Sequence, residues 1–501
     1  MILLDGSSLT LSQLLAIAEA PPPIGAPVGL SPEARERVAA SRAVVDAKAT
    51  GAEPAYGINT GFGSLSEIRI PTDQLAALQL NLIRSHAAGV GEPLPAAAVR
   101  ATLALRANVL AKGFSGIRVE TLERLIAVLN AGIHPRIPSR GSVGASGDLA
   151  PLAHLALVLI GEGETLDGRT LQDAGLAPLR LEAKEGLALI NGTQPSTAVL
   201  ALAWRDAVRL ADATDLAAAM SIDALRGSAK PFDPRIHAAR PFAGQQHAAR
   251  RMAALLADSE INRSHAHCGR VQDAYCLRCA AQVHGAARDA LAFVEQTLLV
   301  EANAGTDNPM VFAEEQEIVS GGNFHGAPIA LAADVLAVAV THLATISERR
   351  SDRLLNTQIS DLPPFLTEHS GLHSGLMMAQ VTAAALTSEL KGLAHPASVD
   401  TIPTSAGKED HVSMSMGAAL KAARAAELAR HVVAVELLCA SQGVDLLTPL
   451  LPSPALQRVH ATIREVVPRL TDDRPPAPDI AAIAERIASG ALERASGLEV
   501  K

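Results

Sequence analysis

The 501-residue chain is predicted to be mainly α-helical, with a globular N-terminal lobe over residues 1–190 and an elongated bundle of long helices over residues 191–501. Three observations lead there. Up to about Gly192, short apolar runs alternate with turn clusters, the texture of short helices joined by loops. Beyond it, Ala- and Leu-rich segments run long with little Gly or Pro. Aromatic residues make up only 2% of the chain, with two tyrosines and one tryptophan, so the helices must pack through small and aliphatic side chains.

The segment Met1 to Ala20 is apolar but lacks a basic leader, carries Asp5 and runs into Pro21-Pro22-Pro23, so it is not expected to be a signal peptide. Turn clusters at Gly57 to Gly63, Gly89 to Glu92, Pro135 to Gly147 and Gly161 to Gly168 punctuate the lobe. Long helices are expected over Thr197 to Arg226, Pro328 to Asn356, Gly375 to Ala394 and Val412 to Gln442. Pro328 suits a first helical turn and Gly443 a C-terminal stop. Helices of more than twenty residues reach roughly 30 Å. They are apolar over more than one face, which suits burial against other copies of the chain. After Pro468 the segments shorten again around Arg474-Pro475-Pro476.

A hydrophobic share of 48% and a charged share of 19% provide for a sizeable core and exclude wholesale disorder. The net charge of -9, with no basic run interleaved with aromatics, argues against nucleic acid as a partner. Apolar runs such as Leu152 to Ile160 are too short to span a bilayer, so no membrane segment is expected. Cys276 and Cys279 have CxxC spacing, but no second pair completes a zinc cage. Free thiols in a reducing cytoplasm, and no metal, are expected.

The chemistry concentrates in Gly141-Ser-Val-Gly-Ala-Ser-Gly-Asp148, followed by the apolar run Leu149 to Ile160. A phosphate-cradling loop fits poorly, because neither dinucleotide nor P-loop spacing is present. Nor does Ser146 sit in a Gly-x-Ser-x-Gly elbow. In Ala145-Ser146-Gly147 the amide nitrogen of Gly147, which has no Cβ to obstruct it, can attack the Ala145 carbonyl when the loop is folded tightly. Loss of water from the new ring and from Ser146 leaves an imidazolone with an exocyclic methylene, an electrophile no ordinary side chain offers. A helix starting at about Asp148 would set its positive dipole end beside it. Ala-Ser-Gly recurs at 488–490 and 495–497 in a charged tail, where it is expected to be structural.

This loop resembles the signature of the aromatic amino acid ammonia-lyases and aminomutases, in which it closes to 4-methylideneimidazole-5-one (MIO). Tyr56 to Gly63, Asn191 to Gln194, Gln272 to Arg278, Asp307 to Pro309, Ser320 to His325 and Glu409 to Met414 resemble further segments of that family, in family order. The resemblance implies a carbon–nitrogen lyase with MIO formed from Ala145, Ser146 and Gly147, no external cofactor, and a homotetramer whose sites draw on several subunits. Its reaction needs an electrophile to make the amine a leaving group and a base for a barely acidic β-proton. By resemblance Tyr56 is that base, on a glycine-rich loop suited to a lid. Arg278 holds the substrate carboxylate, Gln272 and Tyr275 are polar groups near the ring, Asn191 contacts substrate or ring, and Phe324 packs beside it. Without the resemblance, Tyr56 reads as a surface anchor and Tyr275 with Arg278 as an ordinary helix face.

For substrate choice, Ser85-His86 and Glu409 resemble the family's histidine branch, which converts L-histidine to trans-urocanate and ammonium at the start of histidine breakdown. The phenylalanine and tyrosine branches usually carry Phe-Leu or His-Leu at the first pair and favour an amide at the last. An imidazole calls for polar partners that a phenyl ring does not, and Glu409 is a candidate for proton transfer as well. The chain departs from the histidine pattern at Gly407-Lys408, where Asn-Gln is usual, at Ala274 in place of Pro, and at Leu390 in place of Asn. A tyrosine or phenylalanine ammonia-lyase, or an aminomutase, is the alternative within the family. A non-catalytic helical scaffold is the alternative outside it.

Overall fold

The structure, a computed structural model, describes residues 1–20, 27–51 and 53–498. Nineteen α-helices and three two-stranded sheets make up its regular elements among those residues, so the fold is all-α in character. The proline cluster at 21–23 lies outside the described residues.

The chain divides into two compact units. Unit 1 takes residues 1–202, 295–334 and 396–420; unit 2 takes 203–294, 335–395 and 421–501. Two later segments thus join the N-terminal lobe that the sequence divides off at 190, and four of the boundaries fall inside helices. These are Gln194–Ala224, Ala280–Glu301, Ala327–Leu355 and Ser415–Asp445.

Unit 1 is built around the Ala96–Ala111 helix, in which every residue from Ala98 to Leu110 is buried. Helices around it begin as their sequences dictate. Thr10 and Gln13 form a reciprocal capping box, and the Ser31 hydroxyl caps a helix whose first residue is Pro32. The strands are short: Ile2–Leu4 pairs in parallel with Val28–Leu30, and Val90–Pro93 pairs antiparallel with Pro138–Arg140, the strand that leads into the glycine-rich loop.

Unit 2 is helical and Ala-rich, and several of its buried charges form partnered sets. Arg350 and Glu436, both fully buried, meet at 2.5 Å. Asp215 accepts from Arg251, His284 and Arg288 at 2.9, 2.7 and 2.6 Å. Burial alone would raise the Asp215 carboxyl; Arg288, His284 and Arg251 hold it well below the usual carboxylate range. Small side chains leave room for these groups, and pairing offsets most of their desolvation cost.

The four expected long helices run over Gln194–Ala224, Ala327–Leu355, Met377–Leu393 and Ser415–Asp445, with Pro328 in a first turn. The 22-residue Ala280–Glu301 helix was not among them. Two expectations need correction. Gly443 does not stop its helix, which continues to Asp445. A Cβ there would lie 3.0 Å from that of Ala224 and 3.4 Å from Leu362 Cδ1, so this glycine permits close approach within unit 2. And one helix, Ala327–Leu355, is long and apolar enough to cross a bilayer by length and composition. Its apolar window is 72% buried within the protein, as in a core helix. The two later Ala-Ser-Gly copies end helices, with Gly490 and Gly497 at φ +69° and +66°.

Candidate active site

The loop 141–148 joins the Pro138–Arg140 strand to the Leu149–Leu159 helix. It is compressed from several sides. Val143 O accepts from Met414 N at 2.8 Å, Gly144 O accepts from Ser413 Oγ at 2.9 Å, and Gly192 O accepts from Asp148 N at 2.8 Å. Two glycines make the compression possible. At Gly144 (φ +66°) a Cβ would lie 2.1 Å from Ser413 Oγ, and at Gly147 (φ +71°) 2.2 Å from Gly192 O. Neither position accepts a side chain without displacing its neighbour.

Asp148 precedes the helix but does not cap it. Its carboxylate instead ties the loop down, accepting from Ser142 Oγ at 2.6 Å and from Ser196 N and Oγ at 2.8 and 2.7 Å. Complete burial pushes this carboxyl up, against the pull of those bonds. On the far side of Gly192, the fully buried Arg106 donates to Asn191 O at 2.8 Å, to Gln194 Oε1 at 2.7 Å and to Ala188 O. Burial lowers the guanidinium to about 10, opposed by Asp307. Lys184, equally buried, pairs with Asp307 at 3.2 Å. The corner carrying Asn191 is therefore held by the Arg106 guanidinium through Asn191 O and Ala188 O.

One cavity of about 780 Å³ in unit 1 brings together Tyr56, His86, Ala145, Ser146, Asn191, Phe324 and Glu409, with Gly147 buried next to Ser146. Ser146 Oγ donates to Glu409 Oε1 at 3.0 Å, and Thr404 Oγ1 donates to Glu409 Oε2 at 2.5 Å. Asn191 Nδ2 donates to Asn308 O at 2.8 Å, while its Oδ1 is buried without a partner. A buried acceptor left open beside a reactive loop is where a donor from substrate or ring would be expected. His86 Nδ1 lies 2.9 Å from Leu82 O, which makes it the protonated nitrogen and leaves Nε2 as an acceptor. Burial lowers the His86 pKa, keeping the ring neutral near pH 7.

Tyr56 accepts a long hydrogen bond, 3.4 Å, from Gly63 N across its loop. The middle of that loop is anchored. Ile58 is fully buried with Val44, Val45, Leu75 and Val311, and Asn59 Oδ1 accepts from Ala55 N at 2.7 Å. Beyond Thr60 the loop reaches the surface, where Leu65 is 57% exposed.

Three expected residues do not join this cavity. Gln272, Tyr275 and Arg278 belong to unit 2. Tyr275 is 71% exposed, with the Arg278 guanidinium stacked 4.6 Å from its ring centre, and Arg278 Nε is buried without a partner. Gln272 lines a separate pocket with Arg270 and Arg353. Among the described residues lining the unit 1 cavity there is no arginine, so no fork is available there for a carboxylate.

Sequence reading passed over Thr404, Asn308 as a partner of Asn191, and Arg106. Thr404 stands five residues before Glu409, a spacing that carries no signal until the loop closes. That closure also accounts for one departure. Ser405, Ala406 and Gly407 have φ of +50°, +54° and +82°, and at position 407 this left-handed backbone suits Gly, or the Asn that is usual there. Leu390 is fully buried, and Ala274 precedes the short Tyr275–Arg278 helix.

Comparison with known proteins places these features in context. The aromatic amino acid lyase family matches residues 9–465. The histidine ammonia-lyase of Anaeromyxobacter dehalogenans is 56% identical, with 98% of this chain and 99% of that protein covered. Among solved structures, histidine ammonia-lyase from Trypanosoma cruzi superposes with a TM-score of 0.91 at 46% identity, covering 99% of this chain and 95% of that one. Tyrosine aminomutase from Streptomyces globisporus superposes with a TM-score of 0.94 at 38% identity, covering 100% and 99%.

Proposed function

The chain belongs to the aromatic amino acid lyase family, and from that premise we propose that it removes ammonia from L-histidine, giving trans-urocanate and ammonium at the start of histidine degradation. The observation that carries the reading is Ser146 in hydrogen-bond contact with Glu409, inside one cavity with Tyr56, His86 and Asn191. The compressed loop, the two glycines that admit no Cβ and the unpartnered Asn191 Oδ1 suit a ring made from Ala145, Ser146 and Gly147. When formed, MIO supplies an electrophilic methylidene carbon that draws electrons from the substrate and lets the amine leave.

The remaining work falls to side chains. His86 Nε2 accepts from the substrate imidazole N–H, which favours histidine over phenylalanine, whose ring has nothing to donate. Glu409 lies on the same cavity wall as the second polar partner for the imidazole, and it exchanges a proton there. Tyr56 takes the β-proton, a task for which it needs only to reach the substrate from the rim of its anchored loop. Asn191, through its open Oδ1, fixes the reacting groups, and Phe324 closes the wall and excludes water.

A substrate carboxylate needs a cationic fork, and this cavity has none of its own. Gln272, Tyr275 and Arg278 supply the missing groups from another copy of the chain in a homotetramer, with Arg278 holding the carboxylate. The exposure of Tyr275, with the Arg278 guanidinium stacked on its ring, supports that arrangement. The enzyme works in the cytoplasm without external cofactor, and its four cysteines are free thiols.

The test is a panel of amino acids with the purified protein, read by the ultraviolet absorbance of the unsaturated acid each would release, urocanate in the case of histidine. Histidine alone should give signal. Turnover of phenylalanine or tyrosine in its place would reassign the substrate. The similarity to a tyrosine aminomutase supports a second reading, which a β-amino acid product from tyrosine would establish.

A further inference from the structure

The loop 404–409 carries a device that the reaction as derived leaves unexplained. Thr404 and Glu409 pair as an isolated antiparallel bridge, with Thr404 N donating to Glu409 O at 3.0 Å. Between them Ser405, Ala406 and Gly407 all have left-handed backbone, which non-glycine residues adopt only when their surroundings impose it. Across the neck of this strained turn the Thr404 hydroxyl donates to Glu409 Oε2 at 2.5 Å. The other oxygen, Oε1, is the one facing Ser146 Oγ at 3.0 Å. A carboxylate free to turn about its last bond presents either oxygen, or neither, to the cavity. Here one oxygen is fixed from behind.

We propose that Thr404 is a positioning residue: its hydroxyl latches Glu409 Oε2 so that Oε1 stays aimed at the reacting groups, and it acts on catalysis only through Glu409. This rests on the reading of Glu409 as a group that meets the substrate. Once Ser146 gives up its hydroxyl in ring formation, Oε1 loses its donor and stands open to the substrate with its orientation kept. The strained turn and the hydroxyl together hold the carboxylate against rotation. Such pre-organisation raises kcat more than it lowers KM, because its benefit is largest where geometry is most demanding.

The experiment uses the full-length protein. Thr404→Val keeps shape and removes the donor; Thr404→Ser keeps the donor. With histidine as substrate, T404V should lose about 10- to 100-fold in kcat, the scale of a lost hydrogen bond to a charged group, with KM within about threefold. T404S should restore kcat to within about threefold of the parent. Intact mass should show both variants lighter by two waters, as the parent is, so ring formation is not what changes. In a Glu409→Gln background, adding T404V should cost less than about twofold, since the partner is already altered. T404V retaining parental kcat, T404S failing alongside it, or a full additive loss in the E409Q background would each overturn the proposal. If T404V proves too unstable to assay, Thr404→Ala at this half-buried position carries the same comparison. Failure of the parent protein to convert histidine at all would instead refute the substrate reading, a separate outcome in the same assay.

Discussion

Gly144 offers the sharpest test of loop compression, because it lies outside the tripeptide proposed to form the ring. Replacing it with alanine adds one methyl group at φ +66°, which costs about 1–2 kcal/mol in left-handed strain. The new Cβ would sit 2.1 Å from Ser413 Oγ and 2.5 Å from Ser415 Oγ. Both hydroxyls must swing aside, and the Ser413 bond to Gly144 O is lost, at about 1 kcal/mol. The sum, about 2–3 kcal/mol, falls on the tightly folded form of the loop. At about 1.4 kcal/mol per tenfold, the fraction of chains poised to cyclise drops about 30- to 150-fold. Intact mass followed from the time of synthesis measures this: the parent should become lighter by two waters while Gly144→Ala lags by that factor. Adding Ser413→Ala removes the tighter contact but neither relieves the dihedral strain nor restores the lost bond to Gly144 O, so the double variant should lag about as far as Gly144→Ala. If Gly144→Ala loses both waters as fast as the parent, with unchanged melting temperature, compression is not what the loop requires.

Tyr56→Phe should lose about 10²- to 10⁴-fold in kcat, the usual scale for a missing proton acceptor, while its mass still shows two waters lost. Its melting temperature should stay put, because the only bond forfeited is the 3.4 Å contact from Gly63 N. His86→Leu should reduce kcat/KM for histidine by about 10- to 100-fold and improve phenylalanine relative to it; an unchanged preference would remove His86 from the specificity argument. Asp223, in unit 2, gives a pH-dependent stability test. Burial pushes its carboxyl up to about 7, against the Ser259 hydroxyl that donates to both of its oxygens. A folded pKa above the unfolded value means that the acid form is favoured on folding. The stability it confers is complete below about 4 and lost as pH rises through 7, by up to about 4 kcal/mol. Asp223→Asn should therefore raise the melting temperature at pH 8 relative to the parent by clearly more than at pH 5, where most of the acid form's contribution is still present. A gain of equal size at both values would show that titration of Asp223 is not its source.

The sequence by itself determined the covalent and local parts of this protein. Ala145-Ser146-Gly147 in a glycine setting marks the tripeptide proposed to cyclise, and long Ala- and Leu-rich runs specify helices, because a tripeptide motif and helical periodicity are both written in consecutive residues. Only tertiary structure decided what meets what. Glu409 reaches Ser146 across 263 positions, and Asn191 reaches Asn308 across 117. It also turned Gly443 from an expected helix stop into a close-packing point, because a glycine's role depends on which neighbour approaches it. Sequence order likewise carried no sign that Gln272, Tyr275 and Arg278 would belong to unit 2 while Tyr56, His86, Ala145, Ser146, Asn191, Phe324 and Glu409 line one cavity of unit 1. Side chains converge through the packing of helices, and packing is a property of the whole chain that no stretch of it carries alone.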